Sequence, residues 1–312
     1  MSIMTEEVAD RVAEEVAGMT ASSGPAGLRS RVELATLFYE FPCDGVAVVT
    51  LNRPGSGNAV VPESAADLDA ALDDLEADTS VRAVVLTGAG TVFCAGADLD
   101  LLQHHLDHVV EVTEEPLNAR VLFPVVHRLA GSRLPVIAAI NGGATAGGLD
   151  LALACDLRIA STRAKLGETY VRIGLTPGTG GTWFLPRLVG SGMAAELALT
   201  GDIVDAPRAL EIGLVNRVVE PEELLPAAVA LAATIASRPR HAVEATKNAL
   251  RQSWSHDLVS STTAGFWAVS ALFRTADLRE GVAAAREKRT PRFNRPAAGG
   301  PAPDDHDGRS DR

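Results

Sequence analysis

Apolar positions along the chain follow two regimes. Through the first two thirds, short apolar runs alternate with stretches of helical spacing. The run at 45–52 (GVAVVTLN) predicts a strand. The stretch at 62–78 (PESAADLDAALDDLEAD) predicts an amphipathic helix, with a proline at its start and an acidic first turn. Further strands are predicted at 81–90 (VRAVVLTGAG), ending in glycines, and at 134–142 (LPVIAAING), followed by a helix from about residue 148. The segment 155–162 (CDLRIAST) reads as another strand, and 194–219 as helix, turn, helix, strand. From 221 to 289 the spacing is helical throughout. Strand-then-helix units followed by helices predict an α/β arrangement with a helical C-terminal part.

The ends differ from this body. Residues 1–40 read as an N-terminal extension, partly ordered: Val8, Val12 and Val16 have helical spacing, and TASSGPAG then breaks it. Residues 296–312 are Pro, Gly and Asp with little apolar content and are expected to be disordered. A core at 41–220 and a helical region at 221–295 lie between them.

Composition narrows the function. The chain has 312 residues and 46% hydrophobic content, enough for a sizeable core. A net charge of -12 argues against broad nucleic-acid or membrane-surface binding. No apolar run approaches the ~20 residues that span a bilayer. Three cysteines without a CxxC pair, and no hydrophobic leader, predict a reduced, cytoplasmic setting.

Glycines crowd two strand-to-helix junctions, 88–102 (GAGTVFCAGADLDLL) and 141–156 (NGGATAGGLDLALACD). Glycine there lets backbone approach a ligand, and the free N–H groups of a first helical turn can point at it. Two such amides from two loops would form an oxyanion hole. A nucleotide P-loop string, a GxGxxG dinucleotide pattern, a GxSxG elbow and an HExxH pair are all missing. His104, His105 and His108 read as a solvated helix face, with no metal cluster. Cys94 has no basic neighbour in sequence and reads as a small buried filler.

Several segments together resemble the enoyl-CoA hydratase/isomerase (crotonase) superfamily. They are 51–60 (LNRPGSGNAV), 93–102 (FCAGADLDLL), 135–161 (PVIAAINGGATAGGLDLALACDLRIAS), 174–190 (GLTPGTGGTWFLPRLVG), 198–219 and 279–293, in order over roughly 43–293. The resemblance implies a spiral of ββα repeats with a helical C-terminal trimerisation region. It implies an acyl-CoA thioester as substrate, with coenzyme A arriving as part of it and no separate cofactor. The partner would be the chain itself, as a homotrimer or a dimer of trimers. The backbone N–H groups of Ala97 and Gly147 would hold the thioester oxygen. Arg53, Asp98, Leu99, Lys288 and Phe293 fall where relatives contact CoA; surface solvation is the alternative for Arg53, and a generic charged helix end for Lys288. The acyl pocket would come mainly from 101–123.

Hydratases of the family use two glutamates. By position the first falls on Asp150, a carboxylate shorter by one methylene, and the second on Tyr170. The acids of the family's dienoyl-CoA isomerases would fall on Asp150, Tyr170 and Gly178. Glu168 lies two residues before Tyr170, so an extended stretch would put both on one side. Glu168 then stands in as the second carboxylate, or is a solvated loop charge. Tyr170 is a proton donor with the ordinary phenol pKa of ~10, an orienting hydroxyl, or a packing aromatic. Asp150 as the base, or as the group that positions water, is favoured over a helix-terminus stabiliser. The expected reaction is hydration or isomerisation of an enoyl-CoA. Decarboxylation or hydrolysis of a specialised acyl-CoA, or CoA binding without catalysis, are the alternatives.

Overall fold

The computed structural model describes residues 29–108 and 121–295. The expectations for residues 1–28 and 296–312, and for most of the acyl-pocket segment, lie outside the described residues.

Among the described residues, one sheet has seven strands in the order β1 (Val32–Glu33), β2 (Leu37–Cys43), β3 (Val46–Leu51), β4 (Ala83–Gly88), β6 (Val136–Ile140), β8 (Leu157–Ser161), β11 (Arg217–Val219). From β3 to β11 neighbours are parallel; β1 and β2 are antiparallel. A second sheet runs β10 (Val204–Asp205), β9 (Lys165–Gly167), β7 (Gly143–Thr145), β5 (Val92–Cys94). Three times a strand of the first sheet leads directly into one of the second: β4 into β5, β6 into β7, β8 into β9. After them come α2 (Leu99–His108), α4 (Gly147–Ala154) and a 3-10 turn at Thr169–Ile173. The repeating unit is therefore ββα, as the resemblance implies. The expected N-terminal boundary shifts, because strand pairing begins at Val32 rather than after residue 40.

The apolar runs without alternation are explained by their cover. Every position of β3 and β4 is buried, as parallel strands with both faces covered require. One face packs under α8 (Leu224–Ala236), where Ala228, Ala232 and Ala236 rest on Val46, Val48, Val85, Ile137 and Ile159. The other face meets helices that include α1 (Pro62–Ala77), whose Leu68, Ala71, Leu72 and Leu75 are buried. The chain's two compact units divide between Ala236 and Ser237, not at residue 220. The reason is α8: its alanine stripe belongs to the core of the sheet.

The second unit holds α9 (Arg240–Gln252), α10 (Leu258–Leu272) and α11 (Ala276–Glu287). Asp257 and Thr275 cap α10 and α11 through their side chains. Asn294 ties the end of the unit to its start, accepting from Arg240 N at 2.9 Å and donating to Arg238 O at 2.8 Å.

Candidate active site

Two turns meet at the N-terminus of α4. The first follows β5, where Val60 N donates to Gly96 O (2.7 Å) and Asp98 N to Val60 O (3.4 Å). The second is the junction between β7 and α4. A Cβ on Gly96 would lie 3.0 Å from Gly147 N and 3.1 Å from Thr145 O, and one on Gly148 would lie 1.9 Å from Cys94 O. Only bare backbone lets the two turns approach this closely. Ala146 makes the bend at φ 48°, a region a residue with a Cβ rarely adopts. Its N–H is held by Gly167 O at 2.9 Å. Among the described residues, neither Ala97 N–H nor Gly147 N–H donates to a protein acceptor. Gly147 N–H is one of the unpaired donors that open any helix.

One turn further along α4, Asp150 is fully buried. Glu168 and Tyr170, from the segment after β9, are buried beside it, as is Thr179 from the turn before α5 (Gly181–Val189). Tyr170 OH donates to Asp150 Oδ2 at 2.6 Å. Thr179 Oγ1 donates to the same oxygen, and the two hydroxyls are 2.8 Å apart. Asp150 Oδ1 and both Glu168 oxygens have no hydrogen-bond partner among the described residues. Both carboxyl groups press on Gly181, where a Cβ would lie 2.6 Å from Glu168 Oε1 and 2.7 Å from Asp150 Oδ1.

Burial sets the charge of this cluster. It raises the pKa of Asp150, and the hydroxyls of Thr179 and Tyr170 work against that rise. Glu168 receives no such help: burial and the neighbouring Asp150 charge push it up to about 9. Burial thus favours the neutral form of both carboxyl groups, and only Asp150 has donated hydroxyls that favour its charged form; the two titrate as a pair. Burial, and then the Asp150 charge, also push Tyr170 up.

These facts correct three expectations. Glu168 is not a solvated loop charge, since no part of it is exposed. The stretch is not extended: Glu168 leaves β9 at φ -84°, ψ 68°, near the centre of an inverse γ-turn, and a 3-10 turn follows. Glu168 and Tyr170 still converge, because both pack against α4. Tyr170 does not keep an ordinary phenol pKa, and it serves as a hydrogen-bond donor to a carboxylate.

The remaining candidates fall elsewhere. Arg53 is held in an ion pair with Asp98 (3.0 Å) and donates to Ala59 O at 2.5 Å. Against burial, Arg53 and the amides of Leu101 and Asp100 hold Asp98 below the usual carboxylate range. Asp98 Oδ1 accepts from the first amides of α2, so this pair ties the first turn to that helix. Leu99 is exposed on α2, as are His104 and His108. Lys288 and Phe293 belong to the second unit; Lys288 is exposed, and Phe293 packs near Gly281. Cys94 is buried and its thiol is pushed up to about 12, as an unreactive filler should be. Phe184 is core, whereas Trp183 is 39% exposed with Arg187 stacked on its ring. Thr179 and Gly181 were missed by sequence reasoning; a polar residue set between glycines in PGTGG was the available signal.

A ββα spiral in which two glycine turns meet beside a buried carboxylate is the architecture of the crotonase fold. The enoyl-CoA hydratase/isomerase family model matches residues 43–296, and the chain belongs to that family. It is 39% identical to a crotonyl-CoA hydratase of Syntrophomonas wolfei over 80% of this chain and 94% of that protein. It is 40% identical to a short-chain-enoyl-CoA hydratase of Clostridium acetobutylicum over 78% of this chain and 92% of the relative. Its fold matches the crystal structure of an enoyl-CoA hydratase from Bacillus anthracis with a TM-score of 0.76 and 35% identity, covering 83% and 98% of the two chains. The chain is thus an acyl-CoA enzyme of the hydratase/isomerase type. Among the described residues no helix is long and apolar enough to cross a membrane.

Proposed function

We propose that the protein hydrates a short enoyl-CoA, with Asp150 as base and Glu168 as acid. The observation that carries this is a buried carboxyl pair in which Asp150 accepts two hydroxyls, favouring its charged form, and Glu168 accepts none among the described residues, favouring its protonated form. Hydration needs both states at once. Asp150 Oδ1 takes a proton from water as the water oxygen bonds to the β-carbon. The π electrons move onto the thioester oxygen, and the amides of Ala97 and Gly147 stabilise that enolate. Glu168 delivers its proton to the α-carbon as the carbonyl reforms. Asp150 is then the protonated member, and transfer of that proton to Glu168 restores the starting state. The same pair can move a proton between carbons in isomerisation, and its separation of roles is the usual signature of acid and base in one site.

Coenzyme A enters as part of the substrate, and no metal or redox group takes part in these steps. Arg53 and Asp98 support the turn that carries Ala97, with Leu99 beside them; Lys288 and Phe293 remain CoA-contact candidates of the second unit. A homotrimer, or a dimer of trimers, is supported by α10, where Leu258, Val259, Phe266 and Trp267 are all exposed in the single chain. Cys94 and Cys155 are buried in the core as thiols rather than as a disulfide, which agrees with a reducing cytoplasmic setting.

Crotonyl-CoA hydration tests the assignment. Asp150→Asn is expected to lower kcat by at least ~10²-fold, the scale of a lost acid/base group. Wild-type turnover no faster than that of the variant would reject hydration and favour decarboxylation or thioester hydrolysis.

A further inference from the structure

Asp150 Oδ2 is the meeting point of two hydroxyls from two different segments. Tyr170 comes from the 3-10 turn after β9, and Thr179 from the turn that opens α5. Thr179 sits between Gly178 and Gly180, and Gly180 bends the chain at φ 142°. A β-branched side chain in such a turn has few rotamers to choose from. It is 1% exposed, so it cannot exchange its partner for solvent.

We propose that Thr179 is a positioning residue for the reaction, acting through Asp150. Together with Tyr170 it clamps Oδ2, which fixes the carboxylate in one orientation and leaves Oδ1 as the only oxygen free to accept a proton. The clamp also decides which member of the carboxyl pair is charged. Hydrogen bonds donated to a carboxylate favour its ionised form, and those to a charged group are the strong ones. Asp150 receives two, and Glu168 none among the described residues. Without Thr179 the two carboxyl groups become more nearly equal, and a fraction of the enzyme carries its proton on the wrong one.

Other charged groups near α4 are engaged by other partners: buried Arg158 donates to Leu214 O and, at the far end of α4, to Ala152 O and Cys155 O. On the helices packed against α4, His127 Nδ1 contacts its own helix at Phe123 O, and Arg128 is engaged by Asp69, Asp73 and Glu76. Arg187 lies on Trp183, and the Cys94 sulfur, on β5, accepts from Gly96 N. Glu168 and Tyr170 are the titratable groups that face Asp150.

The inference rests on Asp150 being the base, so the test carries Asp150→Asn alongside. Crotonyl-CoA hydration is measured across pH for wild type, Thr179→Val and Thr179→Ser. Thr179→Val should lower kcat by roughly tenfold or more, the effect of one hydrogen bond to a charged group, with KM little changed. The acidic limb of its kcat profile should move to higher pH by about one unit. Thr179→Ser should recover both the rate and the limb. An unmoved limb in Thr179→Val, or equal losses in Val and Ser, would reduce Thr179 to a packing residue and overturn the inference. If Thr179→Val does not fold, Tyr170→Phe removes the other donor to the same oxygen. It must then move the limb in the same direction, and an unmoved limb refutes the clamp. An active Asp150→Asn enzyme would instead sink the assignment of the base.

Discussion

Gly181 is glycine because two carboxyl oxygens stand where its side chain would start. A methyl there would sit 2.6 Å from Glu168 Oε1 and 2.7 Å from Asp150 Oδ1, closer than a Cβ ever lies to a neighbour, so both acids would have to move. Gly181→Ala is therefore expected to cut crotonyl-CoA hydration by on the order of 10²-fold, as small misplacements of catalytic groups do. The chain should stay folded, checked by circular dichroism; unchanged kcat would mean that the two carboxyl positions do not govern the rate. Single residues were legible in the sequence in proportion to how local their reason is. Asp150 follows the glycine turn on the same helix, so its place was readable from the motif. The sequence leaves Glu168 open between site and solvent, because burial at that position comes from α4 and α5, which no local pattern reports. Thr179 escaped notice for the same reason: its partner is 29 residues away in sequence.

At the scale of elements, the apolar runs and helical spacing marked β3, β4, β6, β8 and α1 within a few residues of where they lie. Their continuous burial follows from parallel pairing under two layers of cover. The segment after β9 departs from the sequence expectation because period-two reasoning presumes an extended chain. Gly174, at φ 80°, instead closes a 3-10 turn there. The short strands of the second sheet, three residues or fewer, carry too little pattern to be seen. Helix α8 is legible as a helix, but its place in the first unit is not, since that follows from its packing on the sheet. Its small side chains let it lie close on the sheet, with Ala228 and Ala232 fully buried. Ala232→Leu should overpack that contact and lower stability by about 1–3 kcal/mol. Denaturant unfolding followed by circular dichroism checks this; an unchanged midpoint would mean the helix does not bear on the core there.

Across the whole molecule, the site draws on the stability of the fold. Glu168 titrates near 4.5 when exposed and at about 9 in the folded chain. A folded pKa above the unfolded value means a contribution present in full below about pH 4.5 and lost progressively as pH rises toward about 9. Asp150, also raised, acts in the same direction. Glu168→Gln cannot ionise, so its unfolding free energy should gain on wild type between about pH 5 and about pH 9. Urea unfolding at both ends of that window gives the comparison, and parallel pH dependence would contradict a buried neutral Glu168. The sequence by itself determined the alternation of elements, the two glycine turns and the carboxylate behind the second, because each is set by neighbours along the chain: periodicity, backbone freedom and helix position. Tertiary structure alone decided that the two acids are buried side by side, where the first unit ends, and that a threonine and a tyrosine grip one oxygen. Those depend on desolvation and on contacts between distant segments, which exist only once the sheets and helices have packed.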